Sequence, residues 1–242
     1  MNPSNSLASD AWSALSKNRA AWFSAIALTT MVLLVLLGPL VSPYEVDQTN
    51  WSKLAKPPSM QDGHIFGTDD LGRDLFVRTM YGGRISLMVG IVATLVSVLI
   101  GVSYGAISGF VGGKVDSIMM RIVDVLYAMP FLFFVILLMV FFGRSIFLIF
   151  VAIGAVNWLD IARIVRGQTL TIKGKEFVDA AKAGGVSTFR IIFRHIVPNL
   201  MGIVVVYVAL TVPQVILVES FLSFLGLGVQ EPMTSWLSLI HI

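Results

Sequence analysis

The stretch EFVDAAKAGGVSTFRIIFRHIVPN, residues 176–199, is polar and charged, although long apolar runs lie on both sides of it. Residues 176–183 are predicted to form a short helix, because their alanines favour helix and their acidic residues suit its positive N-terminal end. Gly184 and Gly185 follow, and glycine commonly ends a helix. The first part of this stretch is therefore predicted to be a short, capped helix.

A second short helix is predicted over residues 189–196. Ser187 or Thr188 can cap its N-terminus, and Pro198 is expected to break or restart the chain before the next apolar run. The result is a helix–turn–helix with several apolar side chains, longer than a connection between two helices requires. It is either a stable loop that only joins two membrane spans or a compact element offered to a partner.

The composition indicates a membrane protein. Of the 242 residues, 56% are hydrophobic and 13% are charged, and the mean hydropathy is +0.85; a soluble domain needs more polar surface than this. The net charge of +3 is small and the basic residues are scattered, which argues against nucleic-acid binding. The chain has no cysteine, so disulfides and thiolate metal sites are excluded.

Five apolar runs predict five transmembrane helices in an all-α membrane protein. The first run is too long for a cleavable signal peptide and is interpreted as a retained span. A turn-rich polar segment, residues 42–83, separates the first two runs. The runs are residues 22–41, 85–111, 125–142, 145–159 and 200–218.

The positions of lysine and arginine predict the orientation. If the N-terminus is cytoplasmic, the basic residues beside the span ends fall on the cytoplasmic side, and residues 42–83 lie outside with their basic residues offset by acids. The predicted topology therefore has a cytoplasmic segment at residues 1–20, a first transmembrane helix at residues 21–41 and a cytoplasmic loop around residues 176–199.

Small residues recur at every fourth position in the second apolar run. On a helix they form one stripe, which lets another helix approach closely in lipid. The stripe is either ordinary packing within the chain or a seam against a partner subunit or a moving helix, and Gly101, Gly105 and Gly109 are therefore candidate interface or substrate-path residues. Its members are Ala93, Ser97, Gly101, Gly105, Gly109 and Gly113.

Some charged residues lie at or near the predicted spans. Glu219 is near the outer end of the fifth run, and an intramembrane carboxylate is by default a functional candidate; it either faces a substrate path or partner subunit or is a water-exposed interfacial acid. Asp160 with Arg163, and Arg121 with Asp124, have the three-residue spacing of helical ion pairs and sit at predicted cytoplasmic membrane ends. Each pair either forms an ion pair or only anchors its helix at the membrane interface.

The acid-rich segment GTDDLGRD, residues 67–74, could be mistaken for a catalytic cluster. Its glycines and alternating charges fit a structured outer turn better. No HExxH or cysteine-based metal spacing occurs, and no Walker A motif is present. We therefore expect no catalytic residue, no metal site and no ATP hydrolysis in this chain.

The loop resembles the coupling loop of type-I ABC importer permeases. That loop has a Glu-Ala-Ala, three residues, Gly pattern, which reads here Asp179-Ala180-Ala181 and then Gly185, with aspartate in place of the usual glutamate. The downstream sequence RHIVPN, residues 194–199, is similar as well. The resemblance implies that the loop docks in a groove of a cytoplasmic ATPase. The implied coupling residues are Glu176, Asp179, Ala180, Ala181, Gly185, Arg194, His195, Pro198 and Asn199.

Other motifs resemble the peptide-transport branch of that family. These are GTDDLGRD, YGGRISLMVG at residues 81–90 and ESFLSFLGLG at residues 219–228. GGKVDSIMMR, residues 112–121, and WLDIARIVRGQTL, residues 158–170, are similar to the C-type permease subunit of oligopeptide importers. The resemblance implies an ABC transmembrane type-1 domain over residues 84–236, with the coupling loop at about residues 167–198.

The resemblance also implies function and partners. A permease of this family imports oligopeptides or dipeptides across the bacterial plasma (inner) membrane; nickel and glutathione are the alternatives within the family. It works with a second permease, two ATPase subunits that bind ATP and magnesium, and an extracytoplasmic solute-binding protein. An ion-coupled transporter or channel is the competing class, but it needs intramembrane ion-binding acids and commonly an internal repeat.

The C-terminal residues 237–242, LSLIHI, are expected to be a non-native tail. They match a translation of the transposon-end adapter CTGTCTCTTATACACATC that is used in sequencing libraries. The family that the chain resembles has six spans, so we expect the sixth to be missing from this sequence.

Overall fold

The computed structural model describes residue 13 and residues 15–143, 145–229, 233–236 and 239. This part of the chain is helical and contains no strand beyond two isolated bridges, Ser59 with His64 and Thr68 with Asp74. The all-α membrane fold predicted from the sequence is confirmed. The predicted tail at residues 237–242 lies, apart from residue 239, outside the described residues.

Eight α-helices and one π-helical segment make up the described fold. The chain divides after Arg84 into two compact units, and the division falls inside the second helix. The π-helical segment Ile192–Ile196 joins the last two helices. The helices are α1 (Arg19–Val41), α2 (Leu75–Val111), α3 (Gly113–Ala128), α4 (Phe131–Phe142), α5 (Ile146–Lys173), α6 (Glu176–Ala183), α7 (Thr188–Ile191) and α8 (Val197–Phe224).

Within the described residues, three helical stretches are long and apolar enough to cross a membrane. They are α1, α2 and the continuous helix from Thr188 to Phe224, which has 37 residues. The bent pair formed by α3 and α4 makes a fourth if it is counted as one span. The predicted fourth run lies at the start of α5, so the count of five spans stays a prediction.

The third apolar run, predicted as one span over residues 125–142, contains a break that the sequence analysis did not predict. α3 ends at Ala128, α4 begins at Phe131, and the two helices meet at an angle of 85°. Pro130 explains the bend, because proline disfavours helix in the residue before it; Met129 has the extended values φ −74° and ψ 131°.

Pro198 was predicted to break or restart the chain, and it marks a restart of regular α-helix rather than a break. The π-helical segment lies directly before α8, and the Val197 N–H bonds to the Ile192 carbonyl, five residues back. Pro198 therefore falls in the first turn of α8, where a missing N–H is tolerated. The second short helix continues through the π-helical segment into the last span.

In the first unit, α2 begins ten residues before the predicted second run, at Leu75 rather than residue 85. Asp74 precedes it and accepts a hydrogen bond from the Val77 N–H at 2.9 Å, as an N-cap does. Its other oxygen lies 2.8 Å from Nδ1 of the buried His64. The capped start of α2 thus lies inside residues 42–83, the segment that was predicted to be turn-rich.

The acid-rich segment is a structured turn, as predicted. One oxygen of Asp69 accepts hydrogen bonds from the N–H groups of Leu71 at 2.9 Å and Arg73 at 2.8 Å. Its other oxygen lies 2.6 Å from Arg73 Nε. Gly72 has φ +72°, and a Cβ there would lie 2.0 Å from the Asn50 carbonyl oxygen. Only glycine fits this position.

The stripe of small residues on α2 packs against α5 of the same chain. A Cβ added to Gly101 would lie 2.7 Å from Ile161 Cβ, and one added to Gly105 would lie 2.3 Å from the Ala162 carbonyl oxygen. At Gly109 the corresponding distance to the Arg166 carbonyl oxygen is 2.8 Å. Of the two interpretations of the stripe, the structure therefore shows packing within the chain, with these three glycines covered by α5.

Replacing Gly105 with alanine should disrupt the contact between α2 and α5. The added methyl group meets backbone rather than a mobile side chain, so we expect the melting temperature of the purified protein to fall by roughly 5 °C. Gly202→Ala is the matched control, because a Cβ there meets nothing within 4 Å. Equal melting temperatures for the two variants would contradict the tight α2–α5 packing.

Candidate functional site

The first helix of the loop, α6, has the predicted bounds, Glu176–Ala183. Glu176 and Asp179 lie in its first turn, where negative charge is favourable. Asp179 also forms an exposed ion pair with Lys182, with 3.0 Å between Oδ1 and Nζ. The helix is thus stabilised by the local features that the sequence indicates.

The predicted glycine stop is confirmed in detail. The Gly185 N–H bonds to the Lys182 carbonyl at 3.0 Å, and the Val186 N–H bonds to the Ala181 carbonyl at 3.1 Å. These two bonds are those of a Schellman motif, in which the residue after the C-cap is left-handed. Gly185 is that residue, with φ +72°. The turn fixes the direction in which the chain leaves α6.

The inner side of α6 is anchored in a hydrophobic cluster. Val178 is fully buried there. The other buried members come from α2, α5 and the continuous helix that begins at Thr188. They are Val102, Ala106, Phe110, Ile161, Val165, Ile191, Ile192, Ile196, Leu200 and Val204. The loop helix therefore shares one core with the ends of three long helices.

The outer side of the loop carries most of the predicted coupling residues. Of these, Ala181 and His195 are half-buried, and the others are exposed. Two aromatic side chains are exposed as well: Phe177 at 41% and Phe189 at 71%. The exposed coupling residues are Glu176, Asp179, Ala180, Gly185, Arg194, Pro198 and Asn199. The loop thus has a packed side and a side with charged, small and aromatic residues that is open to a partner.

The sequence analysis missed an ion pair that joins three helices. Arg166 on α5 lies 2.5 Å and 2.6 Å from the two carboxylate oxygens of Asp116 on α3. Ser108 on α2 donates to the same carboxylate at 2.5 Å. The partners come from distant motifs, so spacing along one helix gave no signal for this contact.

The predicted pairs at three-residue spacing are replaced by a pair between helices. Arg163 Nη2 lies 2.8 Å from Asp124 Oδ1, and its guanidinium group lies 4.4 Å from the centre of the Tyr127 ring. Asp160 and Arg121 therefore lack the partners that the sequence suggested. The reason is that tertiary contact brings an oppositely charged group of α3 to Arg163, which the sequence cannot show.

Glu219 lies inside the subunit and is fully buried. Its carboxylate accepts hydrogen bonds from Ser223 Oγ at 2.7 Å and from Ser86 Oγ at 3.3 Å. Ser86 Oγ in turn accepts from the Trp236 N–H at 3.3 Å. Glu219 was interpreted either as a path or interface residue or as a water-exposed acid. The structure agrees with neither interpretation, because the carboxylate is covered by the same chain and hydrogen-bonded to its hydroxyl groups.

The described residues contain no group of three or more histidine, aspartate or glutamate side chains arranged to hold a metal ion.

The fold and the loop together define a multi-helix membrane protein that presents a folded, charged element beside its helix ends. The family described as "Binding-protein-dependent transport system inner membrane component" matches residues 97–241. A second family, described as "N-terminal TM domain of oligopeptide transport permease C", matches residues 6–58. The chain belongs to the family of binding-protein-dependent transport system inner membrane components, and it is an integral inner membrane protein.

Similar proteins match nearly the whole chain. The oligopeptide transport system permease protein OppC of Escherichia coli strain K12 is 59% identical over 97% of this chain and 78% of its own length. The protein of the same name from Haemophilus influenzae is 54% identical over 97% of this chain and 76% of its own. The dipeptide transport system permease protein DppC of Bacillus subtilis strain 168 is 50% identical over 97% of this chain and 72% of its own length.

Shortening Val178 to alanine should loosen α6 from the helix ends. The buried methyl groups contribute on the order of 2 kcal/mol. We therefore expect amide hydrogen exchange in residues 176–186 to become about tenfold faster or more, as measured by mass spectrometry. Ala180→Ser is the control, because Ala180 is on the exposed side of the same helix. Unchanged exchange in Val178→Ala would show that the cluster does not hold the loop.

Proposed function

We propose that this chain is the transmembrane permease subunit of an ATP-binding-cassette importer for oligopeptides or dipeptides. The names of the similar proteins support the peptide substrate, since relatives matched over 97% of this chain include both oligopeptide and dipeptide permeases. In this proposal ATP and magnesium are bound by two partner ATPase subunits, a second permease completes the membrane part, and a solute-binding protein delivers the peptide from outside.

The observation that carries the mechanical part of the proposal is the two-sided loop. The exposed side offers Asp179, Ala180 and Gly185 together with Phe189, a large apolar side chain that is 71% exposed. Exposed aromatic residues are common anchors of protein interfaces. A groove on a partner ATPase would cover this side of the loop, with the N-terminus of the chain in the cytoplasm as the basic residues predict.

The buried side of the loop would pass the motion on. Val178 packs into the same cluster as residues of α2, α5 and the continuous helix Thr188–Phe224. Because protein interiors are closely packed and deform little, a push on α6 displaces the ends of these helices together. The permeases would then alternate between outward-open and inward-open states, and the peptide would cross between them without chemical change.

Two substitutions on the exposed side test the coupling role. Asp179→Lys reverses a charge, and Gly185→Trp places a bulky side chain at a position with φ +72° and open space around it. Both should insert normally yet lower ATP-dependent peptide uptake to about a tenth or less, because the loop no longer fits the ATPase.

The measurement compares peptide uptake with ATP hydrolysis in proteoliposomes that contain both permeases, the ATPases and the binding protein. Asp47→Lys, a charge reversal at an exposed position of the outer segment, is the control and should transport normally. Normal uptake by both loop variants would refute the coupling role.

A further inference from the structure

A polar groove lies between α5 and α8, away from the loop. It encloses a cavity of about 190 Å³, enough for several water molecules at roughly 30 Å³ each. Its polar side chains are Asn157 and Asp160 on α5, with Tyr207, Thr211 and Gln214 on α8. The proposed coupling role uses none of these residues.

The groove lies where α5 leaves the predicted fourth apolar run and α8 crosses the fifth. Asp160 directly follows the fourth run, residues 145–159, and Tyr207 and Thr211 lie inside the fifth, residues 200–218. Polar and ionisable groups within or at the edge of membrane-spanning segments rarely face lipid; they face protein or water. In the assembled transporter this groove is therefore expected to border water or another protein rather than hydrocarbon.

Asp160 has no hydrogen-bond or ion-pair partner among the residues that the structure describes. The nearest basic residue on its own helix, Arg163, is bound to Asp124 at 2.8 Å. Asp160 is nevertheless exposed, and among the described residues it is the carboxylate that lines the groove. An unpaired acid beside a membrane-spanning segment is costly unless a cation or water meets it.

The neighbouring polar groups are only partly used within the chain. The Asn157 side-chain amide donates to the Ile153 carbonyl at 2.9 Å, and the Thr211 hydroxyl donates to the Tyr207 carbonyl at 2.7 Å. Within the described part of the chain, the side chains of Tyr207 and Gln214 form no hydrogen bond. Acceptors for a ligand that carries several N–H donors therefore surround Asp160.

We propose that this groove faces the translocation path and that Asp160 binds the protonated α-amino group of the peptide in transit. The inference rests on the proposed function, peptide import. Peptides of different sequence share one cationic group, the amino terminus, and a carboxylate is its natural counter-charge. The side-chain oxygens of Asn157, Tyr207 and Gln214 accept the remaining ammonium hydrogens.

A basic side chain of the second permease is the competing occupant. The polar positions on α8 extend from Tyr207 to Gln214, about 10 Å along the helix axis. Such a row suits a polar ligand that moves along the groove better than a single fixed side chain. The two occupants also differ in access, because a passing peptide needs a path open to water and a fixed partner residue closes it.

Cysteine labelling tests the access and the ligand. The chain has no cysteine, so Leu210→Cys introduces a single reactive site in the wall of the groove when the partner subunits are also made cysteine-free. Leu210 is exposed, and Asp160 stays in place. The purified assembled transporter is treated with a positively charged, membrane-impermeant methanethiosulfonate reagent. Ser97→Cys is the control, because Ser97 is fully buried on α2 and should not react.

We expect Leu210→Cys, which keeps Asp160, to react and a free-amine tripeptide to slow the reaction at least fivefold by occupying the groove. The N-acetylated tripeptide at the same concentration should slow it less, because its binding lacks the ammonium group. Absence of reaction would show that lipid or the second permease seals the groove, and it would overturn the proposal. A rate unchanged by either peptide, or equal protection by both, would overturn it as well.

Transport measurements separate this proposal from the proposed function. Asp160→Asn should lower the uptake of a free-amine tripeptide about tenfold, in line with the loss of one charge-assisted hydrogen bond, while Asp160→Glu retains most of the uptake. Asp47→Asn, at an exposed position of the outer segment, is the charge-matched control. If the unaltered transporter moves no peptide, the proposed function fails; if it does and Asp160→Asn equals it, only this inference fails.

Discussion

The burial of Val178 is the contact on which the loop depends. An isolated helix of eight residues is unstable in water, because forming the first turn costs more than so few hydrogen bonds return. α6 exists because one of its faces is inserted among side chains of α2, α5 and the helix that begins at Thr188. The same contact that folds the loop also ties it mechanically to the helices, so its stability and its capacity to transmit a push have one origin.

That cluster in turn requires α2 and α5 to approach closely. Hydrophobicity gives little attraction between helices in lipid, so close approach must come from packing itself. Gly105 permits it by leaving no side chain between its backbone and that of Ala162. Near this contact, Asp116 and Arg166 join α3 to α5, and Ser108 adds α2. Near these contacts, α2, α3 and α5 are thus packed against one another.

Local signals in the sequence predicted what local interactions determine. The bounds of α6 and the turn at Gly184 and Gly185 follow from residues within a few positions of each other, and the structure has both. The remaining features involve non-local or competing effects. A π-helical segment lets the chain pass Pro198 without a break, while Pro130 bends a run that hydrophobicity alone made continuous. Arg163 pairs with Asp124 of α3, and Glu219 bonds to Ser86 of α2 as well as to Ser223 of its own helix. Spacing along one helix could not reveal the contacts with α3 and α2.

The positions of these contacts along α8 explain why its centre is available for a ligand. At one end, Ile196 and Leu200 are buried in the cluster that holds α6. At the other end, Glu219 is hydrogen-bonded to Ser86 of α2, and a Cβ at Gly90 of α2 would lie 2.9 Å from Ile216. α8 is therefore held to α2 at both ends, and the polar groove shared with α5 lies between the two attachments. Under the proposed coupling role, a helix fixed in this way would move as a unit when the loop is displaced, and a force applied at α6 would reach Tyr207, Thr211 and Gln214 through packed side chains alone.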